Sequence, residues 1–313
     1  MSEIWDTGTG TLPAYPNGWY ALAFSDEIGA DEVQSARAFG RELVIYRGRQ
    51  GVPAIVDAFC PHMGAHLGHG GRVCDDDLVC PFHNWRWSRD GACTDVPRSK
   101  TRPPGNPLRS WPCRDRNGFL YIWYHAQGEA PTWEVEEVPE SIDPRYRNTA
   151  RKLWPAFASH PQELSENGVD LAHFDVIHKF VTRGIDWRPQ AHTYSLGYDI
   201  EPLDTGLDGD SHYELASFTE GPSCTRSRFS GSLNGITMHS CLPIDPGVLT
   251  VRSLYLFRDD VSDAAARQVF ENSQTGWAAD IEIWSHKVYR EKPLLSPAEE
   301  LVPEFRRWFS QFY

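Results

Sequence analysis

Short apolar runs separated by turn residues dominate the chain between residues 19 and 124. Four runs combine aromatic and β-branched residues, at 19–24, 42–46, 54–59 and 119–124. Clusters of Gly, Pro and Asp separate these runs, which is typical of short β-strands joined by tight connections. The pattern therefore predicts a small antiparallel β domain in the first part of the chain.

The second half of the chain mixes two periodicities. A segment rich in Pro and Glu, at 126–146, is predicted to be a linker. Helical spacing then covers 165–178 and 264–291. Strand-like runs lie at 194–200, 213–219, 228–239 and 249–257. Strands bracketed by helices favour an α+β arrangement, in which helices pack on one face of an antiparallel sheet.

Size and composition are consistent with two folded domains. The chain has 313 residues, of which 40% are hydrophobic and 23% are charged. These values are typical of a globular protein whose domains each bury a core. We expect a first domain at 18–130 and a second at 131–313, with 1–17 as an N-terminal extension.

Net charge and cysteine usage limit the partners and the compartment. The formal net charge of -13 argues against nucleic acid or an anionic membrane as a partner. The first ten residues do not resemble a signal peptide, and no run approaches the roughly 18 apolar residues of a membrane helix. Seven cysteines spread over a long chain favour a reducing compartment over a disulfide framework. We therefore expect a soluble, cytoplasmic protein.

A first candidate metal site lies in two Cys/His segments. Cys60 and His62 are separated by seventeen residues from Cys80 and His83. Each segment supplies one thiolate and one imidazole beside a proline. Two thiolates on one iron and two imidazoles on the other define a Rieske [2Fe-2S] centre. Zinc is the competing interpretation, although zinc fingers usually pair Cys with Cys and His with His.

A second candidate site lies in the predicted helix at 165–178. On a regular helix the His178 side chain would point roughly 140° away from that of His173, so both could not bind one metal. A bulge or break between Phe174 and Ile177 would bring them together, as π-bulges at functional sites do. We predict such a bulge. The alternative is an ordinary amphipathic helix with incidental histidines.

The facial triad of iron(II) oxygenases consists of two histidines and one carboxylate, so a carboxylate ligand is also needed. Trp277, Asp280 and Trp284 recur at helical spacing and should share a face. An acid among tryptophans is costly to bury unless a metal or another group pairs with it. Asp280 is therefore the candidate third ligand.

Both constellations resemble those of the Rieske non-haem iron oxygenases. Residues 60–68 (CPHMGAHLG) and 80–87 (CPFHNWRW), followed by 90–93 (DGAC), resemble the two loops that hold the cluster in that family. Asn84 departs from the commoner glycine, but Asn tolerates left-handed backbone. The family's Asn-x2-Asp-x2-His-x4-His pattern and its late carboxylate match five residues of this chain, namely Asn167, Asp170, His173, His178 and Asp280. The segments 283–287, 293–295 and 306–313 look most like the 3-ketosteroid 9α-hydroxylase and cholesterol 7-desaturase branch.

The resemblance implies an architecture and a set of partners. It implies an all-β Rieske domain followed by a catalytic domain of the helix-grip type, as in START and Bet v 1 proteins. It implies a head-to-tail homotrimer in which Asp170 bridges a cluster histidine of one subunit and His173 of the next. Electrons would come from NAD(P)H through a flavin reductase, a ferredoxin or both.

A basic stretch is a candidate docking surface for such a donor. Eight basic and three acidic residues between Arg86 and Arg116 give this stretch a net charge of +5 (8 − 3). The basic residues are Arg86, Arg89, Arg98, Lys100, Arg102, Arg109, Arg114 and Arg116. The stretch could steer an acidic donor, or it could consist of scattered solvated charges.

The expected activity is O2-dependent monooxygenation, by hydroxylation or desaturation, of a steroid-like or terpenoid-like substrate. We expect an apolar, aromatic-lined pocket. The first alternative is hydroxylation or demethylation of an aromatic acid or amine. Two alternatives of another class are an electron-transfer Rieske protein without a third iron and a zinc-stabilised lipid-binding module.

Overall fold

The structure is a computed structural model that describes residues 3–178, 181–201, 213–231 and 233–313. The chain forms two compact units. The small unit comprises Ala21–Tyr124 and Gly128–Val135, and the large unit comprises Met1–Tyr20, His125–Gln127 and Glu136–Tyr313.

Thirteen described strands lie in the first part of the chain. In chain order they are β1 (Ile4–Asp6), β2 (Thr11–Pro13), β3 (Gly18–Phe24), β4 (Val33–Ala38), β5 (Arg41–Arg47), β6 (Pro53–Asp57), β7 (Arg72–Cys74), β8 (Asp77–Val79), β9 (Arg86–Trp87), β10 (Cys93–Asp95), β11 (Ser110–Trp111), β12 (Cys113–Arg116) and β13 (Phe119–Tyr124). The four strands predicted here are all present, as β3, β5, β6 and β13. A 3-10 turn follows β3 at Ser25–Glu27.

These strands form small antiparallel sheets. The sheet orders are β11-β6-β5-β4, β10-β9-β8-β7 and β12-β13-β3, and β1 pairs with β2. Buried residues of β5 and β6, including Val44 and Val56, pack with Leu67, Leu78 and Trp87 to form a core. The two Cys/His segments begin at this core, because one follows β6 and the other follows β8.

The second part of the chain combines long strands with helices. Its helices are α1 (Pro139–Ile142), α2 (Pro161–Glu166), α3 (Leu171–His173), α4 (Asp263–His286) and α5 (Leu301–Phe309), with a π-helix at Phe174–His178. Its strands are β14 (Tyr146–Ala158), β15 (Val181–Gln190), β16 (Thr193–Glu201), β17 (Tyr213–Glu220), β18 (Cys224–Gly231), β19 (Gly235–Asp245) and β20 (Val248–Arg258). Further 3-10 turns lie at Asn167–Val169, Pro297–Glu299 and Ser310–Phe312.

One seven-stranded antiparallel sheet organises the large unit, with the order β14-β20-β19-β18-β17-β16-β15. The helix α4 packs on one face, where Trp277 contacts Trp154 of β14 and His239 of β19. Ser262 caps α4, since its side chain accepts a hydrogen bond from the Ala265 N–H at 3.2 Å. A helix on one face of an antiparallel sheet confirms the predicted α+β class.

Three predicted boundaries in this unit differ from the structure. The predicted strand at 228–239 is wrong, because β18 ends at Gly231 and β19 begins at Gly235, so a hairpin connection divides it. Gly231 lies at φ +94°, a conformation that interrupts a strand. The predicted helix at 264–291 ends at His286, since Lys287 is already extended. The segment 165–178 is a series of short turns rather than one helix.

Among the described residues, no helix combines the length and the apolar character that crossing a bilayer requires.

Candidate functional site

Two loops of the small unit follow the same backbone course. In each loop the carbonyl of the cysteine accepts from the N–H four residues on, and the N–H of the cysteine donates to the carbonyl five residues on. These distances are 2.9 and 2.9 Å for Cys60 and 3.0 and 2.9 Å for Cys80. We call residues 60–65 and 80–85 the cluster loops.

The fifth residue of each cluster loop has left-handed backbone geometry. Gly64 lies at φ +74° and Asn84 at φ +57°. Among residues with a Cβ atom, Asn is one of the few that adopts this region routinely. The expectation that Asn84 preserves the turn is therefore confirmed.

The cysteines of the cluster loops are buried next to each other. Cys60 is 2% exposed and Cys80 is 1% exposed. Burial raises the pKa of Cys60 to about 11, and the neighbouring Cys80 thiol adds to this rise. A bound metal reverses this preference for the neutral thiol, because it stabilises the thiolate directly. The paired thiols therefore suit a metal centre.

The histidines of the cluster loops lie beside these thiols. The ring centroids of His62 and His83 are 4.8 Å apart, and His62 also stacks on Trp85 at 4.1 Å. The Nδ1 atom of His83 is buried and has no hydrogen-bond partner within the described residues. Such an atom is costly unless a ligand or metal satisfies it. The two thiols and two imidazoles fit a [2Fe-2S] cluster.

The second constellation lies in the segment that leads from α2 to β15. The π-helix at Phe174–His178 confirms the predicted bulge between Phe174 and Ile177. His178 follows His173 by five residues, which is the spacing of one π turn. Both imidazoles consequently face the same side of the segment.

Three candidate ligands meet at one point of the large unit. Ligand atoms of His173, His178 and Asp280 all lie within 4.8 Å of one another. The Nε2 atom of His178 is 3.3 Å from Oδ2 of Asp280. Two imidazoles and one carboxylate are the donor set of a facial iron(II) site. The residues therefore fit a mononuclear iron.

Asn167 links two of these ligands. Its Nδ2 atom lies 3.0 Å from Nε2 of His173 and 3.4 Å from Oδ2 of Asp280. The amide thus contacts a histidine and the carboxylate from outside the donor set. Both contacts are made to atoms that would bind a metal, so the amide holds these two atoms on the same side of the site.

The ring of His173 is held in one tautomer. Its Nδ1–H donates to the main-chain carbonyl of Asp170 at 2.5 Å, so the lone pair of Nε2 faces the site. Burial lowers the pKa of His173. Both effects favour the neutral imidazole that a metal binds.

Asp170 departs from the expected arrangement in one respect. The resemblance implies that this residue holds the His173 ring as part of a bridge, and we expected the carboxylate to do so. Instead the main-chain carbonyl holds the ring, whereas the carboxylate accepts from the His173 N–H at 3.4 Å and caps α3. The cap uses Oδ1.

The sequence did not reveal three residues that support this site. Tyr194 and Tyr198 of β16 donate from their hydroxyl groups to the carbonyls of Ser165 and Gly168, at 3.3 and 3.0 Å. These bonds fasten the ligand-bearing segment to the sheet. A Cβ on Gly276 would lie 3.3 Å from Nδ1 of His178. The absence of a side chain at Gly276 therefore leaves room for the His178 ring beside α4. A glycine four residues before the acid was the available signal.

Two family models match this chain, and each match contains one of the two candidate metal sites. Residues 18–112 match the Rieske [2Fe-2S] domain. Residues 122–313 match the 3-ketosteroid 9alpha-hydroxylase C-terminal domain. Each candidate metal constellation therefore falls within one matched family.

Two relatives are similar along almost the whole chain. The cholesterol 7-desaturase of Drosophila melanogaster is 31% identical over 327 residues, covering 96% of this chain and 76% of the relative. The oxygenase component of the 3-ketosteroid-9-alpha-monooxygenase of Rhodococcus rhodochrous is 32% identical over 320 residues, covering 96% and 81%.

Solved structures share the fold at lower identity. NdmA of Pseudomonas putida CBB5 with caffeine has a TM-score of 0.77 and 18% identity, covering 93% of this chain and 89% of that one. Dicamba monooxygenase bound to dicamba has a TM-score of 0.71 and 16% identity, covering 95% and 96%. At these identities the likeness concerns the fold alone.

Proposed function

The chain belongs to the Rieske oxygenases of the 3-ketosteroid 9α-hydroxylase and cholesterol 7-desaturase branch, and we propose that it oxidises a steroid-like or terpenoid-like substrate with O2. As a member it is an oxidoreductase, which sets aside the simple electron carrier and the zinc-stabilised lipid-binding module. The observation that carries the proposal is the meeting of His173, His178 and Asp280 in a chain that also has paired Cys/His loops.

We propose that Cys60, Cys80, His62 and His83 hold the Rieske cluster. A cluster of this type, when bound, passes single electrons at a raised potential. His62 is exposed and His83 is half-buried, whereas both thiols are buried. We also propose 18–130 and 131–313 as the two domains, with 1–17 as an extension.

We propose that His173, His178 and Asp280 hold a mononuclear iron, which supplies open positions for O2 when bound. This chain's own residues prepare that place. The Asp170 carbonyl fixes the tautomer of His173, and the Asn167 amide aligns His173 with Asp280. Trp277 and Trp284, with ring centroids 5.9 Å apart, lie three residues before and four residues after Asp280 on the same helix.

We propose that the protein forms a head-to-tail homotrimer. Apolar side chains on the cluster loops and beside them are unusually exposed, with Phe59 at 51%, Met63 at 64% and Phe82 at 58%. At the mononuclear site Val176 is 65% exposed. Exposed apolar groups around two redox sites support docking of one subunit's cluster loops at another's iron. Asp170 would then lie between them.

The proposed docking surface for the electron donor is smaller than the basic stretch. Arg114 pairs with Glu134, and Arg116 donates to the Val135 carbonyl. Arg102 binds the Thr94 carbonyl, Arg109 lies over Trp111, and Arg86 lies 3.9 Å from Asp95. Three exposed residues make no hydrogen bond or ion pair within the described chain, namely Arg89, Arg98 and Lys100. We propose that these three steer a ferredoxin or a flavin reductase.

A cytoplasmic location is part of the proposal. All seven cysteines are free, which supports a reducing compartment.

The test is substrate-dependent turnover with a surrogate reductase. Consumption of NADH and O2 is measured with a panel of steroids, terpenoids, aromatic acids and aromatic amines. Mass spectrometry then detects the gain of one oxygen atom or the loss of two hydrogens. Turnover of steroids or terpenoids supports the proposal, whereas turnover restricted to aromatic acids or amines contradicts the substrate class. The variant His173→Ala should retain the cluster absorbance and lose all coupled turnover.

A further inference from the structure

A polar band crosses the inner face of the seven-stranded sheet. Cross-strand neighbours on β17 to β20 form one row of Thr219, Thr225, His239 and Ser253. The adjacent row consists of Ser217, Ser227, Thr237 and Tyr255. We call these eight residues the polar band.

The band lies on the face that α4 covers. His239 contacts Trp277 with ring centroids 5.1 Å apart, and the Tyr255 hydroxyl lies 2.7 Å from the Ser273 hydroxyl. Beyond the band, the same face is apolar at Phe229 and Phe257. Buried sheet faces are ordinarily apolar, because polar groups there lose hydration. A band of hydroxyl groups at this place therefore needs partners.

Most of the band satisfies itself. The Ser217 and Ser227 hydroxyls are 2.8 Å apart, and those of Thr219 and Thr225 are 3.2 Å apart. His239 differs from these pairs. Its Nδ1 atom lies 2.8 Å from the Ser253 hydroxyl, whereas its Nε2 atom has no hydrogen-bond partner in the described parts of the chain.

His239 lies deep in the unit but is not fully enclosed. Its side chain retains partial exposure, although Ser253 behind it is fully buried. Burial lowers the pKa of His239 to about 4, so the ring is neutral at neutral pH. The ring of His239 therefore combines partial exposure with an Nε2 atom that has no hydrogen-bond partner within the described residues.

Contacts through α4 connect His239 to the proposed metal ligands. Trp277, which contacts His239, follows Gly276, and Gly276 abuts the His178 ring. Asp280 lies three residues further along the same helix. An organic molecule that reaches from the mononuclear site along the sheet would pass the Nε2 atom of His239.

We infer that His239 is a specificity-determining residue that binds an oxygen substituent of the substrate through Nε2. This inference rests on the proposed function and deepens it, since it requires an oxygenated steroid or terpenoid. The two relatives named above act, by their names, on cholesterol and on a 3-ketosteroid, an alcohol and a ketone.

The His239–Ser253 pair can serve either kind of oxygen. A hydroxyl group both donates and accepts, so Ser253 can hold either tautomer of the neutral ring. With Ser253 donating to Nδ1, the Nε2–H donates to a carbonyl. With Nδ1–H donating to Ser253, the Nε2 lone pair accepts from a hydroxyl group. His239 therefore prefers oxygenated over deoxygenated molecules without distinguishing ketone from alcohol strongly.

The test compares an oxygenated steroid with two analogues, each lacking the oxygen at one end of the ring system. KM and kcat are measured in the reconstituted system for wild type and for His239→Phe, His239→Gln and His286→Phe. In the wild type, one deoxy analogue should show a KM roughly tenfold higher than the parent. In His239→Phe this difference should disappear, while kcat for the parent changes less than KM.

Two variants serve as controls. Gln reaches the position of Nε2 with an amide that donates and accepts, so His239→Gln should restore most of the preference. His286 is an exposed histidine of α4, with its side chain 71% exposed, and His286→Phe should behave as wild type. If His239→Phe fails to fold, Ser253→Ala replaces it. Loss of the hydrogen bond between Ser253 and Nδ1 of His239 should weaken the same preference.

The outcomes separate the inference from the proposed function. If a steroid is oxidised and His239→Phe, or Ser253→Ala in its place, keeps the full preference for oxygen, the inference is wrong and the function stands. If the wild type oxidises none of the three steroids and no other steroid or terpenoid of the panel, the proposed substrate class is wrong and the inference falls with it.

Discussion

At the scale of single residues, Asp170 performs two tasks with different atoms. Its main-chain carbonyl orients His173, and its carboxylate caps the short helix α3. A substitution of the side chain leaves the carbonyl in place. The carboxylate can therefore be removed without losing the contact that fixes the tautomer of the ligand.

We predict that Asp170→Ala retains both metal centres and loses turnover by about tenfold to a hundredfold or more. Iron analysis and cluster absorbance report the metals, and coupled O2 consumption reports the activity. Asp170→Asn keeps an oxygen that can cap α3 but removes the charge, so it separates the cap from the proposed bridge. Full activity in Asp170→Ala would rule out the bridge.

Asn84 offers a second prediction at this scale. Because its φ is +57°, Asn84→Ala should cost about 1 to 2 kcal/mol, while Asn84→Gly should be tolerated. Gly64→Ala is the matched variant in the other cluster loop, where an added Cβ meets no atom within 4 Å. Absorbance of the cluster per protein and thermal unfolding measure the effect. Equal cluster content in Asn84→Ala and Asn84→Gly would contradict it.

At the scale of elements, the sequence predicted best where a chemical requirement overrides local propensity. A regular helix cannot direct His173 and His178 at one metal, so the need for a shared metal predicted the bulge. Four strands in the first part of the chain were predicted because their apolar runs are continuous. Asp280 was predicted to be a ligand because a buried acid among tryptophans needs a partner.

The same reasoning missed elements that long-range packing determines. β14 and β15 are the two edges of the large sheet, and β14 includes Arg147, Arg151 and Lys152 rather than an apolar run. Edge strands face solvent, so their sequences lack a strong strand pattern. The sequence did not predict the polar band, for a related reason. Its residues are far apart in sequence and meet only through strand register.

Gly276 supplies a prediction about α4. Alanine stabilises a helix relative to glycine by about 1 kcal/mol, but a Cβ here would lie 3.3 Å from His178. We therefore expect Gly276→Ala to unfold at the same or a higher temperature while binding less mononuclear iron. Iron content per cluster and thermal unfolding are the measurements. Thr275→Ala, at an exposed neighbouring position, should change neither, and unchanged iron content in Gly276→Ala would contradict the role of the glycine.

At the scale of the whole molecule, a buried histidine makes stability depend on pH. His160 is fully buried, its Nδ1 accepts from the Gln162 N–H, and its pKa is lowered to about 4 by burial. The folded state therefore keeps this ring neutral, and the unfolded state binds the proton more readily. Its contribution to stability is complete above pH 6.5 and is lost as the pH falls towards 4.

We predict that His160 contributes about 2 kcal/mol to the fall in stability of the wild type between pH 7 and pH 5, as measured by urea unfolding. His160→Asn keeps a capping side chain at the start of α2 but cannot titrate. This variant should show a smaller fall over the same range. A fall identical to that of the wild type would assign the pH dependence to other groups.

The π-helix at Phe174–His178 has a consequence for how the iron site is encoded. An α-helical turn closes after four residues and this one after five, so the approach of His178 to His173 depends on chain length as well as on residue identity. Deleting Val176, whose side chain is exposed, removes no proposed ligand yet would return the turn to α-helical length. Substitution scanning would overlook this dependence, whereas an insertion or deletion series across 174–177 would expose it.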